Sequence, residues 1–177
     1  TEQYREKAQR AAFEAAFQSY DDYLEALQMR ASAAAFDPFH YPRIAQLTQR
    51  SNQFNLRTVR YTEAEIEALA QDDSRIGLYF TLKDKFGDHG LISVVVLEKQ
   101  PEDTLFISEW LMSCRVLKRG MEEFIVDKIL SVAAQQGFRR VVGEYIPTPK
   151  NAMVKDLYEQ LGFARLENGR FQAEVSG

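Results

Sequence analysis

The stretch with the greatest chemical potential is Ile107–Gly137, where an apolar segment runs through Cys114-Arg115-Val116-Leu117 into the basic turn Lys118-Arg119-Gly120, and a helical pattern starts at Met121. A helix N-terminus leaves N–H groups unpaired and carries the positive end of the helix dipole, so such a turn can hold an anion. Arg115, Lys118 and Arg119 add three cations, and Gly120 lets the backbone approach a ligand closely. The plainer alternative is a strand–turn–helix corner with solvated charges. Cys114, the one cysteine in the chain, lies beside a guanidinium and near a helix start. It could ionise and take an acyl group, or it could be inert strand packing. Glu109 and Glu144 fall on neighbouring strands as candidate bases, with a structural carboxylate as the alternative for each. Asn151, after Pro147-Thr148-Pro149-Lys150, reads as a helix N-cap. His40 and His89 lie in separate loops, and no metal-ligand spacing is present, so no metal is expected.

These residues need elements to hold them. Residues 2–30 carry apolar positions at three- and four-residue spacing and predict one long helix. Ala31–Tyr41 reads as a breaker region ending at Pro38 and Pro42. A short helix is expected over Arg43–Asn55, rich in amides (Gln46, Gln49, Asn52, Gln53) that could bond backbone or ligand. A short strand is expected over Asn55–Arg60. Thr62 and Glu65 form a capping box for the next helix. Strands follow over Ser74–Phe86 and Leu91–Leu97, joined by a turn at Gly87–Gly90. The run Leu91–Leu97 is apolar on both faces and belongs at the sheet centre. A third strand is expected over Thr104–Leu117, then a helix Met121–Gln136 stopped by Gly137. Strand Phe138–Ile146, helix Asn151–Leu161 and a hairpin turning at Asn168-Gly169 complete the pattern.

The sum is an α/β chain: a mixed, mostly antiparallel sheet flanked by helices, with an N-terminal helical extension. Residues 1–36 read as a linker or docking helix and 37–177 as one domain. With 45 % hydrophobic and 27 % charged residues, 177 residues can bury a core. A net charge of −4 argues against a general nucleic-acid binder. A lone cysteine suits a reducing, cytoplasmic setting. No apolar run approaches the ~18 residues of a membrane span and no signal peptide opens the chain, so no membrane role is expected. The start inside a helical pattern reads as a cut from a longer protein.

Cys114–Met121 before a helix, with Asn151-Ala152 and Leu157-Tyr158-Glu159-Gln160-Leu161-Gly162-Phe163, resembles the GNAT acyltransferase fold. The resemblance implies that Arg115, Lys118 and Gly120 hold the pyrophosphate of an acyl-coenzyme A, acetyl-CoA or CoA. Lys118 stands where that family usually keeps glycine, which adds charge and restricts close approach. It also implies backbone donors near Met112–Arg115 for a thioester carbonyl, a pantetheine contact from Asn151, and Tyr158 as general acid, since a phenol of pKa ~10 can protonate a leaving thiolate. The cofactor-binding set is thus Cys114, Arg115, Val116, Lys118, Arg119, Gly120, Met121 and Asn151; the catalytic set is Tyr158, Glu109 and Cys114.

A wider resemblance rests on Arg43–Leu47 with Ser51–Asn55, on Trp110–Leu117 and on Gly143–Asn151. These are similar to the C-terminal part of FkbH-like proteins of the haloacid-dehalogenase superfamily (phosphatase subfamily IIIC). That likeness implies a partner phosphatase domain, whose Asp-x-Asp motif is absent from this chain, and a glyceryl-like thioester on the phosphopantetheine of an acyl carrier protein in polyketide-like biosynthesis. Three roles follow. The chain is an acyltransferase-type domain, or a non-catalytic docking module using Arg115, Lys118, Arg119, Arg139 and Arg140 for an acidic carrier, or a segment that only completes the larger fold.

Overall fold

The computed structural model describes residues 25–26, 28–117 and 120–176. The helix expected over 2–30 lies outside them except for helical Glu25 and Ala26, and so do Lys118 and Arg119.

Seven strands form one sheet: β1 (Arg30–Ala35), β2 (Arg75–Asp84), β3 (Gly87–Gln100), β4 (Thr104–Met112), β5 (Arg140–Glu144), β6 (Ala164–Arg165) and β7 (Arg170–Glu174), in the order β1-β2-β3-β4-β5-β7-β6. All neighbours are antiparallel except β4 and β5, which pair in parallel from Thr104↔Arg140 to Ile107↔Gly143. The helices are α1 (Tyr41–Arg50), α2 (Glu63–Ala70), α3 (Met121–Gln135) and the single turn α4 (Leu157–Gln160).

Two cores cover the sheet. Leu78, Phe80 and Leu82 of β2 pack with Ile125 and Ile129 of α3, while Tyr79 meets Ile44 of α1 and Ile66 of α2. This alternation is the two-residue period of a strand. Leu91–Leu97 is buried throughout and lies between β2 and β4, as its apolar run requires. Thr62 accepts from Glu65 N–H at 3.1 Å and Glu65 returns the bond at 2.9 Å, so the capping box forms.

Several boundaries differ from expectation. Residues 30–35 are the edge strand β1, paired with β2, not a breaker. The turn between β2 and β3 is Lys85-Phe86, because Asp84 already faces Gly87; there the Asp84 carboxylate accepts the Phe86 N–H at 2.9 Å. β4 stops at Met112, and Cys114–Val116 is a 3-10 turn whose N-cap Ser113 accepts the Arg115 N–H. Asn55–Arg60 is no strand; it touches the sheet at one bridge, Asn55↔Leu111. The helix expected over Asn151–Leu161 splits into a 3-10 turn, Ala152–Val154, and α4. Gly137 (φ 82°) stops α3, and Asn168 (φ 58°) with Gly169 (φ 75°) makes the final turn.

Candidate functional site

β4 outruns β5. Past Ile107 and Gly143 the two strands no longer pair, and the β5-facing edge of β4 is left to another partner. That partner is the chain itself. Leu56 N–H donates to Trp110 O at 3.0 Å, and Met112 N–H donates to Phe54 O at 3.0 Å. On the far side, Ile146 N–H donates to Leu56 O at 2.8 Å. Phe54–Leu56 therefore fills the wedge between β4 and the residues after β5. Phe54 and Leu56 are buried, and the Phe54 ring meets Trp110 edge-on at 5.5 Å.

Asn151 locks this insertion. It is buried, and its Nδ2 donates to Asn55 O and to Ile146 O, each at 2.9 Å. Its Oδ1 accepts from Thr148 N–H at 2.8 Å and Tyr145 O–H at 3.2 Å. Asn151 is thus a four-way clamp on the loop and not a side-chain helix cap.

The two other polar candidates lie beneath the same segment. Glu109 is fully buried. It accepts N–H bonds from Val59 (2.7 Å), Trp110 (2.9 Å) and Arg57 (3.3 Å). Burial raises its carboxyl to about 7, despite those bonds and the Arg57 charge. Thr58, with φ 56°, holds the loop over it in a backbone region that β-branched residues avoid. Tyr158 is buried against Gly143, where an added Cβ would come within 2.4 Å of its ring. Its hydroxyl has no partner among the described residues, and burial pushes it well above the ordinary 10. The expected proton donor therefore faces core instead of an open cleft.

Glu144 is engaged too. It accepts from Arg57 Nε at 2.9 Å and from Arg170 Nε at 3.3 Å, with both guanidinium groups over Phe106. Three of the backbone donors expected near Met112–Arg115 are likewise spent, and so is that of neighbouring Trp110. Trp110 N–H goes to Glu109, Met112 N–H to Phe54, Ser113 N–H to Ile92 O at 2.7 Å and Arg115 N–H to Ser113 Oγ.

Of the helix turn expected to hold pyrophosphate, Lys118 and Arg119 lie outside the described residues. Gly120 does take the left-handed conformation (φ 76°) at the start of α3, but the first turn carries Glu122 and Glu123. These offset the positive helix end and line a cavity of about 390 Å³ with Leu117, Phe54 and Leu161. Val116 and Met121 are buried in the core and offer no side chain to a ligand. Arg115 points elsewhere.

It lines a second, open cavity of about 700 Å³ on the side of α1. Arg43, Arg50, Arg115 and Lys150 converge there, beside Gln53 and Cys114. Burial and the neighbouring Arg115 and Arg50 charges hold the Arg43 guanidinium below its usual range. Arg43 donates to Gln46 Oε1 at 2.8 Å and Arg115 to Ser113 Oγ at 3.3 Å. Among the described residues no carboxylate lines this cavity or pairs with any of its four cations. Cys114 is exposed, not packed, and its Sγ donates to Gln53 Oε1 at 3.4 Å.

The basic cluster read from sequence is therefore divided. Arg139 pairs with Asp103 at 3.6 Å, and Arg140 bonds the Glu102 carbonyl; both sit by the start of β4, opposite Arg115. Arg43 and Arg50 both belong to α1, and only the fold brings Lys150 and Arg115 to the same cavity. Among the described residues no three metal-ligating side chains cluster, and no helix is long and apolar enough to cross a membrane.

No family model and no curated protein matches this sequence. Solved structures do match it. The ribosomal-protein-S18-alanine N-acetyltransferase of Escherichia coli aligns with TM-score 0.59 at 14 % identity, over 84 % of this chain and 96 % of that one. The GNAT domain of S. lividans PAT aligns with TM-score 0.61 at 18 % identity, over 82 % of this chain and 90 % of that one. Spermidine N-acetyltransferase from Vibrio cholerae, solved with CoA and spermine, gives 0.60 at 15 %, over 82 % and 95 %. The chain has the GNAT fold.

Proposed function

We propose, with the GNAT fold as premise, that this chain is a docking module for an acyl-thioester carrier, positioning an acyl carrier protein for the phosphatase domain of an FkbH-like protein. The observation that carries the reading is the filled wedge. A pantetheine arm laid along β4 would exchange hydrogen bonds already made for equivalent ones. It would also strand Phe54 and Leu56 in water, at roughly 1.5–3 kcal/mol each, and regained chain freedom offsets only part of that. Beside the wedge, four cations that no carboxylate answers among the described residues offer an acidic carrier an open landing place.

Calorimetry separates the possibilities. The acyl carrier protein should bind at low salt, weaken as KCl is added, and weaken further with Arg50→Glu or Arg115→Glu. Acetyl-CoA should give no heat at millimolar concentration. Salt-insensitive carrier binding, or none, sinks the docking role.

A second reading, acyl transfer from CoA, is favoured by one observation: Glu109, with its carboxyl near 7, lies close enough to the Tyr158 hydroxyl, partnerless among the described residues, to act on it electrostatically. Turnover of acetyl-CoA that is lost in Tyr158→Phe would establish that reading instead.

A further inference from the structure

The geometry points to a binding site for a phosphomonoester in the cavity formed by Arg43, Arg50, Arg115 and Lys150. This deepens the docking reading and rests on it for the face involved; what it adds is the chemical group the cavity takes.

Charge decides the class of ligand. Four cations converge and, among the described residues, no carboxylate answers them. The like charges of Arg50 and Arg115 already act on Arg43. Such an arrangement raises the energy of the empty site and is relieved by an anion. A single carboxylate would leave most of the charge unmatched, whereas a phosphomonoester brings close to two negative charges and three acceptor oxygens. Three of the four cations are arginines, whose planar forks match phosphate oxygens in pairs.

Shape narrows it further. A cavity of about 700 Å³ is of the size that holds small molecules and exceeds what a bare phosphate fills. Gln53 supplies an amide for the body of the ligand, and Leu47 and Met112 supply an apolar wall. The ligand is thus a phosphate with a short organic body. One source fits, a free phosphorylated small molecule, because the phosphopantetheine arm of a carrier is joined to its serine as a phosphodiester with a single negative charge.

The lone cysteine provides the readout, since Cys114 is exposed and lines the cavity. Its alkylation by neutral iodoacetamide is followed by mass spectrometry on the whole chain. Glycerol 3-phosphate is compared with glycerol and with KCl at matched ionic strength. Glycerol 3-phosphate should slow alkylation several-fold while glycerol does not. Arg50→Gln and Arg115→Gln should each raise the half-protecting concentration about tenfold. Equal rates with and without phosphate on the probe, or protection reproduced by KCl, overturn the proposal. The docking role is read separately, from salt-dependent binding of apo-carrier, which bears no phosphate arm. That binding can survive the loss of the phosphate site, and the site can survive the loss of that binding.

Discussion

The wall that runs from Trp110 to Arg115 is finished in opposite ways along its length. At Trp110 and Met112 the exposed edge of β4 is closed by Phe54–Leu56, and Asn151 ties that closure to Ile146. From Ser113 to Arg115 the same wall opens onto a cavity whose cations meet no opposite charge among the described residues. In one region the backbone of the wedge is bonded within the chain on both sides; in the other, among the described residues, charge is left over. Satisfied groups hold a fold together, whereas unmatched charge costs stability and is kept where something binds. The closed wedge is therefore assigned to structure and the open cavity to recognition.

Four perturbations test that division. The largest effect is expected from Phe54→Ala, which removes the ring that meets Trp110 and should cost about 3–5 kcal/mol in urea unfolding. A loss below about 1 kcal/mol would mean that the segment is a loose cover and would reopen the CoA reading.

The next is pH. Glu109 has its carboxyl raised to about 7 in the folded chain, against about 4.5 when unfolded. Between those values the native state holds more protons, so stability is full below about 4.5 and falls as pH rises through 7, by about 3 kcal/mol in all. Glu109→Gln should flatten this decline in thermal melts taken from pH 4.5 to 8. An unchanged slope would show that another group is responsible.

Asn151→Ala follows, at about 2–3 kcal/mol, because it leaves two buried carbonyls and the Thr148 N–H without partners. The smallest effect has the opposite sign. Arg43→Gln relieves repulsion from Arg50 and Arg115 and should raise stability by a few tenths of a kcal/mol while weakening carrier binding. If it destabilises as the wedge variants do, the contrast between the two regions fails.

Much of the scaffold was legible because it is local. The Thr62–Glu65 box, the doubly apolar Leu91–Leu97 run, the Gly137 stop and the Asn168-Gly169 turn each depend on neighbours in sequence. β1 escaped because Arg30-Ala31-Ser32-Ala33-Ala34-Ala35 has no alternation; its strand form comes from pairing with β2. The wedge was legible only in part: a strand is expected from Asn55 but Phe54 falls in an expected helix, and the segment pairs at the single bridge Asn55↔Leu111 because β4 outlasts β5. The direction of Arg115 depended on where β4 ended, and the expected strand ran five residues too far, to Leu117 instead of Met112. Glu109 stood out as a single acid, Asn151 as a helix start and Tyr158 through the resemblance, but only the fold shows Glu109 and Asn151 bonded to one loop and the Tyr158 ring beside Trp110.

Because Phe54–Leu56 is stitched on one side to β4 and on the other to Ile146, its amides have no way to meet solvent one at a time. The N–H groups of Leu56, Met112 and Ile146 should trade hydrogen for deuterium together, at the rate set by the opening of the whole sheet. The wedge then acts as a keystone whose release and the unfolding of the domain are a single event.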